Sequence, residues 1–285
     1  MFADKKNDHP MQSNPSSAKG FFPQQADPSY AAFGLKDRLV IVTGGASGIG
    51  LATVHLLARC GARIATLDSD EQGVESLRRA YPAGMHLLTN VAHHADTEIA
   101  FQNIAQSLGQ PVWGLVNNAA CFVMKGLEAT TEDWDKVLLT NVVAPSFCSR
   151  LAVGRMSDVE GGTIVNVCSI SSLIAQPGFL TYSASKGALL TATKCLALDL
   201  APRKIRVNAV SPGSIWTESN DRYIREHRGL DRAGSDAAED LGGKHLLQRM
   251  GDSDEVANAI VFLLSPLAGF ITGSNLVVDG GYTTI

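Results

Sequence analysis

At 285 residues, 45% of them hydrophobic and 18% charged, the chain has apolar side chains enough for one large α/β domain or two small ones. A formal net charge of −4 gives no reason to expect nucleic acid or an anionic membrane as partner, and no apolar stretch reaches the roughly 18 residues that a membrane span needs. The five cysteines, Cys60, Cys121, Cys148, Cys168 and Cys195, form no CxxC pair and are odd in number; their mostly apolar surroundings read as buried free thiols, so the chain is expected in the cytoplasm.

Met1 to Tyr30 is rich in Asp, Lys, Asn, Gln, Ser and Pro, shows no sustained periodicity and lacks the continuous apolar core of a signal peptide. Such a segment buries too little surface to offset its ordering entropy, so residues 1–34 are expected to form a mobile polar tail. Phe21-Phe22 within it is a candidate docking patch on a neighbouring subunit. From Leu35 the pattern alternates strand, turn and helix. Short β-branched runs at Leu39–Val42, Arg63–Leu67, Val112–Val116, Thr163–Val167, Arg206–Val210 and Asn275–Val278, with a weaker one at Met85–Thr89, read as seven strands. Ile49–Arg59, Glu132–Met156, Tyr182–Leu200 and Asp254–Leu264 read as helices. Strands alternating with helices need crossover connections, hence one doubly wound, seven-stranded parallel sheet, covered on both faces, in a single α/β domain over residues 35–285. A ligand site is then expected beyond the carboxyl ends of the strands.

After Leu39–Val42 comes Thr43-Gly-Gly-Ala-Ser-Gly-Ile-Gly50. Gly44, Gly48 and Gly50 let the chain turn sharply and let a pyrophosphate approach the backbone, while the helix opening near Gly48 offers free N–H donors and a positive dipole end. Asp68 closes the second strand 24 residues after Gly44. A carboxylate there can accept both ribose hydroxyls of an adenosine and repels a 2′-phosphate, which points to NAD.

Tyr182 and Lys186 are four residues apart, so on a helix they share a face. An ammonium beside a phenol favours the phenolate, which can take the proton of an alcohol as hydride leaves for the cofactor. A YxxxK pair is common in helices and means little by itself. Upstream, Asn166-Val-Cys-Ser-Ile-Ser-Ser172 ends the fifth strand, and a serine hydroxyl there can donate to the substrate oxygen as charge develops on it. Ser169, Ser171 and Ser172 are rivals on that ground.

Together these motifs resemble the short-chain dehydrogenase/reductase family from about Leu35 to the C-terminus: the glycine turn is Gly-x3-Gly-x-Gly, and Ser169 alone has the family's thirteen-residue gap to Tyr182. The resemblance implies a Rossmann-type fold with catalytic Asn141, Ser169, Tyr182 and Lys186. Asn141 would kink its helix and hold a water relaying protons to the lysine, and Lys186 would also hold the nicotinamide ribose. The position of Ser47, just before Gly48-Ile49, is usually basic in NADP-preferring relatives. Asn90-Val91 stands where the family has Asp-Val on the adenine amino group, and the asparagine oxygen can still accept. Asn118 and Ala119 would line the adenosine ribose, with Ala120 in place of the family's glycine. Pro212, Gly213, Ile215 and Thr217 would reach the carboxamide and phosphates of the nicotinamide half. Paired helices Glu132–Met156 and Tyr182–Leu200 would build a homotetramer.

Glu218 to His245, long, charged and rich in Gly and Asp, reads as part of a substrate lid over about residues 213–245. Gln176, Cys121, Phe122 and Trp216 are candidates for the substrate wall. His55, His86, His93, His94, His227 and His245 show no metal spacing and read as surface or turn residues. The expected function is hydride transfer between NAD and a small secondary alcohol or ketone, with Tyr182 as general base and acid; NAD leans this toward oxidation and away from a biosynthetic acyl-chain reductase. Two other readings stay open: a non-catalytic dinucleotide sensor or scaffold, which would be expected to lose Tyr182 or Lys186, and an extended epimerase or dehydratase, which would need a larger C-terminal region than the roughly 70 residues after Ser211.

Overall fold

The computed structural model describes residues 26–284; the earlier part of the expected tail, with Phe21-Phe22, lies outside the described residues. Residues 27–34, expected within the tail, take a defined fold. Asp27 caps a 3-10 turn over Pro28–Phe33 by accepting from the Ser29 N–H, and its own N–H donates to the Arg59 carbonyl at 2.8 Å. The Arg59 guanidinium sits 4.3 Å from the Tyr30 ring centroid, and Tyr30 and Phe33 pack on the core. Two aromatic rings give this short stretch the apolar surface that the segment's average composition hides.

The first half of the chain runs β1 (Leu39–Thr43), α1 (Gly48–Arg59), β2 (Arg63–Asp68), α2 (Glu71–Ala80), β3 (Met85–Leu88), α3 (His94–Leu108) and β4 (Val112–Asn117). It continues with α4 (Thr131–Leu138), α5 (Ala144–Val153), β5 (Gly162–Val167), α6 (Leu180–Leu200) and β6 (Ile205–Pro212). The last part holds β7 (Ile215–Trp216), α7 (Glu218–Arg228), α8 (Arg232–Ala237), β8 (Gly251–Asp252), α9 (Ser253–Leu264) and β9 (Asn275–Val278). Seven strands form one parallel sheet in the order β3-β2-β1-β4-β5-β6-β9. The period-2 alternation of β1 decides the layers: Val40 and Val42 face α1 and α9, whereas Leu39 and Ile41 face α3 and α5. Strand order reverses between β1 and β4, which opens a crevice at their carboxyl ends.

Three elements differ from the sequence reading. Glu132–Met156 is not one helix: α4 passes through a π-turn over Leu139–Val143 into α5. Pro145 lacks the N–H that would bond the Asn141 carbonyl one turn back, so the helix widens there. Glu218 to His245 is not an open loop; Thr217 caps α7, Gly229 ends it with φ +64°, and Asp231 caps α8. The pair β7–β8 is too short to register as strands by pattern.

Candidate active site

At the carboxyl ends of β1, β2 and β4 lies an open cleft of about 270 Å³, whose lining includes Gly44, Ser47, Ile49, Asp68, Val91 and Ala119. Gly44 has φ +63°, and a Cβ on Gly50 would stand 1.9 Å from the Gly44 carbonyl oxygen, so the strand-to-helix turn closes only around glycine. Ser47 precedes α1 without capping it through its side chain, which leaves the first-turn N–H groups of Gly48, Ile49 and Gly50 for a ligand or water. Asp68 is held rigidly: its Oδ2 accepts from the Ala46 N–H at 2.8 Å and its Oδ1 from the Asp70 N–H at 3.0 Å. A glycine cradle, an uncapped helix start and a fixed carboxylate fit a pyrophosphate-bridged dinucleotide.

Thr43, which the sequence reading passed over, organises the neighbouring loop. Its Oγ1 accepts from the N–H groups of both Asn118 and Ala119 at 3.1 Å. Asn118 donates from Nδ2 to the carbonyls of Thr43 and Gly44, so its amide secures the turn while the residue lines the cleft. Asn90 lines the cleft, and its side-chain oxygen accepts from the Ala92 N–H at 3.0 Å.

Tyr182 and Lys186 lie on α6 one turn apart, facing the end of β5. Tyr182 is 6% exposed, stacked under Phe122 at 5.3 Å between ring centroids and met edge-on by Phe179. Ser169 stands beside its hydroxyl. The lowered phenol expected from the Lys186 ammonium is not what the protein's own groups produce. Burial pushes the phenol above its ordinary value, Ser169 only partly opposes this, and Cys168 adds to it. Lys186 is 2% exposed, with Nζ 5.8 Å from the Tyr182 ring centroid and donating to the Val167 carbonyl at 2.8 Å. Burial pulls its ammonium down to about 8.

Asn141 sits in the π-turn and spends its side chain on protein. Its Oδ1 accepts from the Cys121 N–H at 2.7 Å, and its Nδ2 donates to the Cys121 carbonyl and to Ser185 Oγ. Ser185 in turn donates to the Tyr182 carbonyl, so Asn141 ties the loop before Phe122 to the helix that carries Tyr182. Beneath them Asn117 donates to Asn166, and Asn166 to Thr193, a buried chain joining β4, β5 and α6. Polar residues inside otherwise apolar strands were the signal for it. Gln176 accepts from Ser171, which removes Ser171 as a rival to Ser169 at the phenol.

Beyond β6, Thr217 lines the cleft across from Gly48, but Gly213 and Ile215 are backed against the C-terminal segment, the Gly213 N–H donating to the Val278 carbonyl. Pro212 ends β6 in the sheet. Trp216 is not brought to the substrate side: alternation along β7 turns it outward, under Arg232 at 5.5 Å and beside Ser253. His86 and His245, read as surface or turn residues, are buried. His86 is held by Thr66 and by the Tyr81 carbonyl. Among the described residues no group of three His, Cys, Asp or Glu side chains could hold a metal ion, and no helix is long and apolar enough to cross a membrane.

A family profile described as enoyl-(acyl carrier protein) reductase matches residues 44–283. Cyclopentanol dehydrogenase of Comamonas sp. is 38% identical over 254 residues, covering 87% of this chain and 98% of its own. Among solved structures, ligand-free aldohexose dehydrogenase of Thermoplasma acidophilum superposes with a TM-score of 0.80 at 30% identity over 88% of this chain and 96% of its own. ElxO with NADP bound reaches 0.79 at 27% identity over 87% of this chain and all of its own. The chain belongs to the short-chain dehydrogenase/reductase family. It is an oxidoreductase, a dehydrogenase that works with a nicotinamide dinucleotide.

Proposed function

We propose that this chain is an NAD-dependent dehydrogenase of a small secondary alcohol, or a reductase of the matching ketone, with Tyr182 as general base and acid. The observation that carries the reading is the junction of the two halves of the site: Phe122 lines the dinucleotide cleft and stacks directly on Tyr182, whose hydroxyl stands beside Ser169. The bound nicotinamide supplies hydride acceptance and donation. Tyr182 Oη takes the alcohol proton in oxidation and returns it in reduction. Ser169 Oγ donates to the substrate oxygen, and the Lys186 ammonium stabilises the phenolate. Asp68 accepts the adenosine ribose hydroxyls, and neither it nor Ser47 offers positive charge to a 2′-phosphate.

Phe122 and Phe179 give the phenol an apolar surround, which suits an uncharged alicyclic alcohol of the kind that the name of the Comamonas relative states. The helical segment over 213–245 acts as the lid. Leu138, Leu139 and Val143 on one helical run and Leu198 on α6 are exposed apolar side chains that a homotetramer would cover. Free cysteines, three of them buried, accord with the cytoplasm.

The test is calorimetric titration with NAD and NADP, then a secondary-alcohol panel read at the reduced-nicotinamide absorbance. Asp68→Ala is expected to weaken NAD about 10- to 100-fold, the worth of a charged hydrogen-bond acceptor. Tyr182→Phe is expected to bind NAD and turn nothing over. Wild-type preference for NADP would overturn the cofactor assignment, and turnover by Tyr182→Phe would overturn the mechanism.

A further inference from the structure

One buried side chain holds the Gly213–Ser214 backbone from behind. His245 is 2% exposed, with Nε2 3.2 Å from the Ser214 backbone nitrogen and Nδ1 3.1 Å from the Leu241 carbonyl oxygen. The first contact needs an accepting nitrogen and the second a donating one, so together they select a neutral ring protonated on Nδ1. The ring meets Tyr282 edge-on, centroids 5.2 Å apart. A Cβ on Gly213 would stand 3.0 Å from Nε2, so only a glycine lets the loop come this near. A single imidazole thus joins the loop after β6, the end of the lid segment and the C-terminal turn.

We propose that His245 is a positioning residue: it sets the height of the Gly213–Thr217 loop over the cleft, and through it the affinity for the half of the dinucleotide remote from Asp68. The proposal rests on the dinucleotide reading above. The topology supplies the direction. Asp68 ends β2 and the loop follows β6, on opposite sides of the β1–β4 reversal, so a ligand anchored on Asp68 reaches the loop only with its far half. At the loop's other end, a Cβ on Gly48 would lie 3.3 Å from the Thr217 methyl, so the loop closes over the start of α1. Releasing the Ser214 N–H leaves a buried donor unpaired and lets the loop drift while Asp68 and its backbone partners stay in place.

Calorimetric titration of the full chain with NAD and with AMP separates the two halves. His245→Asn keeps a donor for the Leu241 carbonyl but is too short to reach the Ser214 N–H. NAD should weaken about tenfold, the worth of one hydrogen bond, with AMP unchanged. His245→Gln carries both an acceptor and a donor at that reach and should restore NAD binding. Equal weakening of NAD and AMP would reduce His245 to general support of the fold, and unchanged NAD binding in His245→Asn would overturn the proposal outright. A wild type that binds neither ligand would sink the dinucleotide reading itself, whereas one that binds both keeps that reading whatever the variants do. Should His245→Asn not fold, amide exchange at Ser214 in the wild type carries the test: slowing by NAD and not by AMP is expected, and equal slowing by both overturns it.

Discussion

Lys186 is a cation with almost no water, held by the Val167 carbonyl and facing an aromatic ring. Its folded-state value of about 8 lies below the ordinary 10.5, so between those two limits the unfolded chain binds the proton and the folded chain does not. Stability from this group is therefore present above pH 10.5 and lost as pH falls to about 8. Tyr182 acts in the opposite sense: its raised phenol favours the fold at lower pH and ceases to do so as pH climbs past its own folded value. Lys186→Met should abolish turnover yet raise the melting temperature of the cofactor-free protein at pH 8, by about 1–3 kcal/mol of stability. Thermal melts of both proteins from pH 7 to 10.5 should converge as pH rises; parallel curves would mean that the ammonium carries no burial cost. The residue pattern names Tyr182 and Lys186 as candidates, but the sign of the phenol's shift belongs to burial, which no spacing of Tyr and Lys encodes.

Among the elements, α1 and the π-turn show how backbone decides chemistry. The start of α1 is built on contact so close that Gly50→Ala would place a methyl 1.9 Å from the Gly44 carbonyl oxygen. The variant should lose NAD binding and about 2–3 kcal/mol of stability, measured by titration and by urea unfolding; an alanine variant with wild-type affinity would show that the turn is adaptable. That glycine pattern was legible because a tight strand-to-helix turn leaves few residue choices. The π-turn was only half legible. Asn141 in a helical run and Pro145 four residues later both signalled irregularity, but the partners of Asn141, Cys121 and Ser185, come from a loop and a helix distant in sequence. α7 and α8 do not show in the sequence because their stretch is polar and carries no apolar period; Thr217 and Asp231 cap them.

For the whole molecule, the exposed apolar side chains include one set on α4, the π-turn and α6 and another at Leu267, Phe270, Leu276 and Val277 near the C-terminus. Two separate apolar faces on one chain suit assembly about more than one axis. Sedimentation equilibrium should return about four times the 30.2 kDa chain mass, and a monomer at micromolar concentration would contradict this. The sequence by itself determined the seven strands, their parallel sheet, the glycine turn and the placing of Tyr182 and Lys186 on one helix face, because these rest on local periodicity and on short motifs whose spacing is their geometry. Only the tertiary structure decided that Trp216 faces away from the site, that Asn118 serves the turn, that the phenol is raised and that His245 is buried between three segments. Each of those depends on which distant residues share a volume, and burial and long-range pairing are properties of the packed chain.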